Sequence, residues 1–293
     1  MNTRPLTRPT IGIFDSGFGG LTVMRALLAL IPNANYVYLG DTARLPYGSK
    51  SQETIARYAV DSLRFLEAQG AELFVVACNT ASALALDALK AEAKIPVVGV
   101  IEPGAAAARA AYNLAMSEAA ATDLTSDGVL VLATEATVQS HAYARACAAH
   151  GLRAFEKACP LLVPLVEEGW IDHPVTEEVA RIYLGEALAE AQRQKIVPHT
   201  VLLGCTHYPL LQPLLECVLL KHFSASGPMG ILDSAEATAR HVKHLLSERA
   251  VSASAGTPSQ RFFATDSVEK FQRLGSRFLG CPIDHVQHVD LGG

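Results

Sequence analysis

Short apolar segments alternate with longer amphipathic segments along most of the chain. The apolar segments are rich in Val, Ile and Leu at consecutive positions, which is typical of strands buried on both faces of a sheet. We predict strands at residues 10–14, 35–39, 73–77, 96–100, 128–133 and 200–203. Because strands and helices alternate, the pattern predicts an α/β fold with mostly parallel sheets.

One amphipathic segment, residues 51–69, carries Ile55, Leu63 and Leu66 at helical spacing. Ser49 followed by Gln52 resembles a capping box at the start of this segment. The pattern therefore predicts a surface helix that buries one face.

The chain contains a coarse internal repeat. The string FVVACNTASAL begins at residue 74, and the string VLLGCTHYPLL begins at residue 201. Each reads as an apolar strand, a cysteine, small polar residues and then a helix. The repeat indicates two similar domains, with Cys78 in one and Cys205 in the other.

Polar residues follow several of the predicted strands. Open α/β sheets bind ligands outside the carboxyl ends of their strands. The residues at such ends are Asp15, Ser16, Cys78, Asn79, Thr80, Cys205, Thr206 and His207. A helix that starts after a cysteine aims its N–H groups at the thiol and lowers the thiol pKa toward neutrality. Thiol and thiolate would then both be available for acid–base chemistry.

Less specific interpretations apply to the same residues. A lone cysteine beside a strand is most often a small buried hydrophobe. An aspartate near a turn, such as Asp15, usually accepts a hydrogen bond from the backbone of that turn. His207, two residues before Pro209, can make a purely structural hydrogen bond. The repeat favours chemistry for Cys78 and Cys205. The segment at 12–23, GIFDSGFGGLTV, lacks the glycine spacing of a phosphate-binding loop, which argues against a nucleotide-binding enzyme.

Composition narrows the class of protein further. The chain has 293 residues, half of them apolar, and a net charge of −5, which predicts a globular protein without a nucleic-acid surface. Residues 1–10 lack the apolar run of a signal peptide, and no stretch is long enough to span a bilayer. The few cysteines show no disulfide or zinc spacing. We therefore expect a cytoplasmic protein with reduced thiols, no metal and no membrane contact.

Several segments together resemble the glutamate racemases of the aspartate/glutamate racemase superfamily. They are GIFDSGFGGLTV at 12–23, YLGDTARLPYGSKS at 38–51, VVACNTASA at 75–83, ATEATVQS at 133–140, PLVEEG at 164–169, LLGCTHYPLL at 202–211 and ILDSA at 231–235. Their joint order and spacing, rather than any single string, carry the resemblance.

The resemblance implies two pseudo-symmetric α/β domains with the active site in the cleft between them. The first domain would be discontinuous, comprising residues 1–100 and 208–293, and the second would comprise residues 101–207. The implied activity is the interconversion of L-glutamate and D-glutamate without a cofactor, which supplies D-glutamate for peptidoglycan synthesis. No lysine lies in a convincing cofactor context, which agrees with that route.

The resemblance also assigns residues to roles. Cys78 and Cys205 would be the two bases, Cys78 toward D-glutamate and Cys205 toward L-glutamate. The implied catalytic set is Cys78, Cys205, Asp15, His207 and Glu167. The implied substrate-binding set is Asp15, Ser16, Tyr47, Gly48, Asn79, Thr80, Thr134, Thr137, Thr206 and His207. Many relatives carry Gly-Thr where this chain has Ala133 and Thr134, so the hydroxyl is kept but backbone freedom is lost.

The resemblance also implies binding partners, and the residues leave alternative functions open. The resemblance implies a homodimer with glutamate as substrate, and it leaves open a peptidoglycan precursor as effector. Racemisation of aspartate is the nearest alternative, since the length of the substrate side chain is a property of the pocket. A decarboxylase of the superfamily needs only one thiol, so the two cysteines argue against it. A non-catalytic protein that binds small anions is an alternative from another class.

Overall fold

A computed structural model gives the architecture of the chain and describes residues 8–118, 127–224, 229–247 and 257–292. The chain divides into two compact units. The first comprises Met1–Val100 and Ala235–Gly293, and the second comprises Ile101–Ser234. Within the described ranges, no helix is both long and apolar enough to cross a membrane.

The first unit is built on a six-stranded parallel sheet. Its strands are β1 (Thr10–Asp15), β2 (Asn35–Gly40), β3 (Leu73–Val76), β4 (Val97–Gly99), β9 (Gln260–Ala264) and β10 (Gln287–His288). They lie in the order β10-β9-β2-β1-β3-β4. The helices are α1 (Leu21–Leu30), α2 (Gln52–Ala68), α3 (Asn79–Leu84), α4 (Leu86–Glu92), α11 (Ser234–Ser247) and α12 (Val268–Leu279), with a short 3₁₀ helix at Tyr47–Ser49. α11 starts on the last residue of the second unit.

The second unit is built on a four-stranded parallel sheet. Its strands are β5 (Asp127–Ala133), β6 (Arg153–Ala158), β7 (Val197–Gly204) and β8 (Gly230–Asp233), in the order β6-β5-β7-β8. The helices are α5 (Ile101–Glu118), α6 (Glu135–Gln139), α7 (Ala142–Ala149), α8 (Leu162–Glu167), α9 (Pro174–Arg193) and α10 (Gln212–His222), with a 3₁₀ helix at Tyr208–Leu211.

The two sheets share one topology. In the first unit the order β2-β1-β3-β4 places the third strand of the chain beside the first, and β6-β5-β7-β8 repeats that order. The point where strand order reverses therefore lies between β1 and β3 in one unit and between β5 and β7 in the other. The predicted α/β fold with two pseudo-symmetric, mostly parallel sheets is confirmed.

The described boundary between the units differs from the expected one. We expected the second domain to end at residue 207, but the second unit continues to Ser234. The physical reason is strand pairing, because β8 adds to the sheet of the second unit with Thr200 opposite Gly230 and Leu203 opposite Asp233. Residues 208–234 are thus held by the second sheet.

Local details also correct the sequence reading. The expected cap Ser49 lies inside the short 3₁₀ helix, and Ser51 is the residue that caps α2 by accepting a hydrogen bond from the N–H of Thr54 at 3.3 Å. The strand β6 was missed because its sequence, RAFEKA, is that of a half-exposed edge strand rather than an apolar run. α2 buries Ile55, Leu63 and Leu66, as its spacing predicts.

Candidate active site

The first unit gathers Asp15 and Cys78 at the point where its strand order reverses. Asp15 is the last residue of β1, and Cys78 lies two residues beyond the end of the neighbouring strand β3. Oδ2 of Asp15 accepts a hydrogen bond from the N–H of Gly17 at 2.9 Å. A Cβ at Gly20 would lie 2.6 Å from Cβ of Asp15 and 2.8 Å from Cβ of Ala77. Glycine therefore lets α1 start directly against both strand ends.

The Cys78 thiol is nearly enclosed by protein. Its side chain donates to Oγ of Ser16 at 3.5 Å and accepts from the N–H of Ala81 at 3.5 Å. Cys78 is 5 % exposed, and burial, followed by the nearby charge of Asp15, raises the pKa of this thiol to about 11. Hydrogen bonds with Ala81 and with the side chain and backbone of Ser16 lower the pKa but are outweighed. Without substrate, Cys78 is therefore a protonated thiol at neutral pH.

This state corrects the expectation that a following helix would lower the pKa of Cys78. Cys78 is indeed the N-cap of α3, but α3 has only six residues. A helix of that length adds few aligned peptide dipoles, whereas desolvation acts on the whole charge of a thiolate. For Cys205 the expected helix start is also different, because the following turn is the 3₁₀ helix that begins at Tyr208.

The remaining predicted residues of the first unit lie in two segments. Asn79 and Thr80 open α3 next to Cys78 and are buried. Tyr47 and Gly48 open the 3₁₀ helix at Tyr47–Ser49, where Tyr47 is buried and Gly48 is exposed. The hydroxyl of Tyr47 is fixed by Asp41, a buried carboxylate that sequence reasoning missed. The one sequence feature that pointed to Asp41 was its position within the family-like string at 38–51.

The second unit gathers its predicted residues in the equivalent place. Cys205 directly follows β7, and Thr134 directly follows the neighbouring strand β5. Oγ1 of Thr134 lies 2.9 Å from Oγ1 of Thr137, which is buried in α6. The carbonyl of Cys205 accepts a hydrogen bond from the N–H of Tyr208 at 3.1 Å. Cys205 is 5 % exposed, like Cys78.

His207 is held between two oxygen atoms in the second unit. Its Nδ1 lies 3.3 Å from Oγ1 of Thr206, and its Nε2 lies 3.3 Å from Oε1 of Glu167, the last residue of α8. The His207 side chain is 12 % exposed and that of Glu167 is 24 % exposed. A carboxylate at Nε2 favours a proton on that nitrogen and fixes the orientation of the ring. The structure thus joins Thr206, His207 and Glu167 in one chain of contacts.

Each unit therefore places one of its cysteines among hydroxyl, amide or imidazole groups. The first holds Asp15, Ser16, Tyr47, Gly48, Cys78, Asn79 and Thr80, and the second holds Thr134, Thr137, Glu167, Cys205, Thr206 and His207. A thiol beside fixed donors can give or take a proton next to a carboxylate ligand. This is the chemistry of proton transfer at carbon.

Comparison with known proteins agrees with this geometry. The family model described as Asp/Glu/Hydantoin racemase matches residues 11–242 of the chain. The chain belongs to this family of racemases. Among curated relatives, the glutamate racemase of Koribacter versatilis is 51 % identical over 308 residues, a match that covers 98 % of this chain and 99 % of that protein.

Solved structures give the same grouping. The glutamate racemase of Thermus thermophilus in complex with β-chloro-D-alanine is 39 % identical with a TM-score of 0.80, covering 98 % of this chain and 99 % of that one. The glutamate racemase of Francisella tularensis in complex with D-glutamate is 32 % identical with a TM-score of 0.80, covering 97 % of this chain and 98 % of that one. The resemblance to glutamate racemases is confirmed.

Proposed function

We propose that this chain is an isomerase that interconverts L-glutamate and D-glutamate without an organic cofactor, using Cys78 and Cys205 as the two acid–base groups. The observation that carries the proposal is the position of the cysteines. Each follows the third strand of a unit, beside the first strand, because the β2-β1-β3-β4 part of the first sheet has the same order as the second sheet. Racemisation needs one proton carrier on each face of Cα, and two equivalent thiols meet that need.

A thiolate takes the Cα proton and becomes a thiol, while the electron pair of the broken C–H bond spreads into the α-carboxylate. The other thiol then gives its proton to the opposite face of Cα and becomes a thiolate. By analogy with the family, Cys78 takes the Cα proton from D-glutamate and Cys205 takes it from L-glutamate. A turnover in the reverse direction restores the starting state, and before another turnover in the same direction the first thiol releases its proton to water while the other thiolate takes one up.

Residues next to the two cysteines lower the remaining part of the activation barrier for proton transfer. Acid–base transfer alone contributes on the order of 10²–10⁴-fold, so preorganised donors must stabilise the charge on the carboxylate. We assign this role to Asn79, Thr80 and Thr206, which lie directly beside the two cysteines. In the free protein Asp15 favours the thiol form of Cys78, because its charge raises the pKa of that thiol.

The remaining roles follow from the same contacts and the family pattern. His207, oriented by Glu167, assists Cys205. Ser16, Tyr47, Gly48, Thr134 and Thr137 complete the substrate contacts. The product D-glutamate is supplied to peptidoglycan synthesis.

The test compares three alanine variants of cysteines. Cys78→Ala and Cys205→Ala should each abolish interconversion of L- and D-glutamate by the purified protein without added cofactor. Cys147→Ala is the matched control, because Cys147 is fully buried in α7 and belongs to the core. Full turnover by either Cys78→Ala or Cys205→Ala would overturn the two-thiol proposal.

Deuterated water separates the proposed substrate from its alternatives. Wild-type protein should incorporate deuterium at Cα of glutamate much faster than at Cα of aspartate. Preference for aspartate would make the protein an aspartate racemase. No exchange with either, together with protection of the thiols by glutamate against alkylation, would leave a protein that binds small anions.

Two further parts of the proposal concern partners. We propose a homodimer, which sedimentation velocity tests over a range of concentrations. A peptidoglycan precursor as effector is tested by measuring racemisation with and without it, and an unchanged rate would remove the effector from the proposal.

A further inference from the structure

Ser82 hydrogen-bonds three backbone positions of the first unit, one of them Cys78. Its Oγ donates to the carbonyl of Val76, the last residue of β3, at 2.8 Å and accepts from the N–H of Val100 at 3.2 Å. Its own N–H donates to the carbonyl of Cys78 at 2.8 Å. Ser82 thereby holds the segment from Val76 to Cys78 at both ends. Val100 is the residue where the chain leaves the first unit.

Ser234 makes the equivalent contact in the second unit. Its Oγ donates to the carbonyl of Leu203 at 2.9 Å, and its side chain also hydrogen-bonds the fully buried Tyr143. Leu203 lies two residues before Cys205, as Val76 lies two residues before Cys78. Ser234 is the residue where the chain leaves the second unit.

Strand register shows that these contacts are equivalent. Val76 lies opposite Gly99 in the first sheet, and Leu203 lies opposite Asp233 in the second. The residue after the fourth strand is then Val100 in one unit and Ser234 in the other. In both units a buried serine hydroxyl therefore links the carbonyl two residues before the cysteine to the residue that leaves the unit.

We propose that Ser82 and Ser234 are positioning residues, Ser82 for Cys78 and Ser234 for Cys205. Each hydroxyl satisfies a carbonyl at the end of the strand that carries the cysteine, and it ties that strand end to the segment where the chain crosses to the other unit. Removing the hydroxyl leaves a buried carbonyl without this donor, so the strand end shifts and the cysteine becomes more accessible. The inference deepens the proposed function and rests on it, because the positions of the two thiols matter for activity only if both thiols transfer protons.

The experiment measures each thiol separately. Wild-type protein, Ser82→Ala and Ser234→Ala are alkylated with iodoacetamide between pH 7 and pH 11, and the labelling rates of Cys78 and Cys205 are read by mass spectrometry of their peptides. We expect Ser82→Ala to accelerate labelling of Cys78 by about threefold or more and to move its pH profile down, because burial is the main cause of its raised pKa. Ser234→Ala should accelerate labelling of Cys205 alone.

A matched control separates positioning from loss of stability. Ser62 is fully buried in α2 and donates to the carbonyl of Tyr58 at 2.9 Å. Ser62→Ala should lower the melting temperature as the other variants do, with both labelling rates unchanged. Ser82→Thr and Ser234→Thr keep the hydroxyl and should restore the wild-type labelling rates.

Racemisation gives a second readout. Ser82→Ala and Ser234→Ala should lower kcat about tenfold with KM changed less than twofold, since small misplacements of reacting groups cost this much or more. Labelling rates equal to those of Ser62→Ala, or equal changes of both cysteines in both variants, would overturn the inference. A wild-type protein without racemase activity would overturn the proposed function instead, while the labelling rates still decide the positioning role.

Discussion

The hydroxyl of Tyr47 donates a 2.5 Å hydrogen bond to Oδ2 of Asp41, a carboxylate that is fully buried. The same oxygen accepts from Nε of Arg44 at 2.7 Å, and Oδ1 accepts from Oγ1 of Thr265 at 2.9 Å. Burial and the Asp41 carboxylate raise the pKa of Tyr47, which keeps its hydroxyl a donor. Asp41 is therefore the anchor of the segment that presents Tyr47 and Gly48.

Asp41→Asn should weaken both stability and substrate binding. The change removes one charge from a buried pair, and among the described residues Asp61, at 3.2 Å, remains as the acidic partner of Arg44. We expect the free energy of unfolding in urea to fall by about 3 kcal/mol, and KM for glutamate to rise because the anchor of Tyr47 and Gly48 is weakened. Glu236→Gln, which breaks the exposed pair with Arg240, is the control and should change stability by less than about 1 kcal/mol. Equal effects of the two variants would contradict the anchoring role.

The raised pKa of Cys78 predicts a specific pH dependence. Alkylation requires the thiolate, so labelling of Cys78 in the free protein should keep rising with pH until about pH 11. In urea the same peptide should reach its plateau near the ordinary thiol pKa of about 8.5. Since the folded protein binds this proton more tightly, the stabilising contribution is complete below about pH 8.5 and is lost as the pH rises toward 11.

Asp15→Asn tests the electrostatic part of that pKa. The neutral amide removes the nearby charge, so the labelling profile of Cys78 should move to lower pH while burial of the thiol is kept. The control is the labelling of the exposed Cys281, which should not change. An unmoved Cys78 profile would mean that desolvation alone sets its pKa.

The sequence predicted the central strands well because both faces of these strands are buried. The predictions for residues 10–14 and 35–39 each fall one residue short of β1 and β2. Edge strands were harder, because strands such as β6 mix charged and apolar residues and pair with a single neighbouring strand. The predicted end of the second unit was wrong for the same reason, since β8 is also an edge strand and belongs to this unit through its pairing with β7.

The candidate site could be predicted only as far as local strings carry it. The strings place Asp15, Cys78 and Cys205 at strand ends, and the structure has them there. The pKa of the Cys78 thiol could not be predicted, because burial depends on packing from the whole unit and outweighs the hydrogen bonds with Ser16 and Ala81. The proposed role of Ser82 could not be predicted from the sequence either. Its partner Val100 is distant along the chain and comes close only because β4 pairs with β3. The roles of the site residues in catalysis stay predictions.

Gly20 offers a test of the close packing under Asp15. A methyl group at this position would approach Cβ of Asp15 to 2.6 Å and Cβ of Ala77 to 2.8 Å, and neither atom belongs to a flexible chain end. Gly20→Ala should lower the free energy of unfolding by about 1–3 kcal/mol and lower kcat by shifting the strand ends. Gly230→Ala, at a position with open space around it, should leave both quantities near wild type. Urea titration and the racemisation assay measure them.

Glu167 and Glu168 provide a matched pair for the proposed support of His207. Oε1 of Glu167 lies 3.3 Å from Nε2 of His207, whereas Glu168 is exposed at the end of α8. Glu167→Gln keeps the size of the side chain but removes the charge that orients the ring and favours a proton on Nε2. We expect kcat to fall at least about tenfold, because the ring of His207 loses the contact that orients it. Glu168→Gln should keep the wild-type kcat, because its carboxylate is the same charge next to the same helix without the contact. Equal kcat values for the two variants would show that the Glu167–His207 contact does not support proton transfer at Cys205.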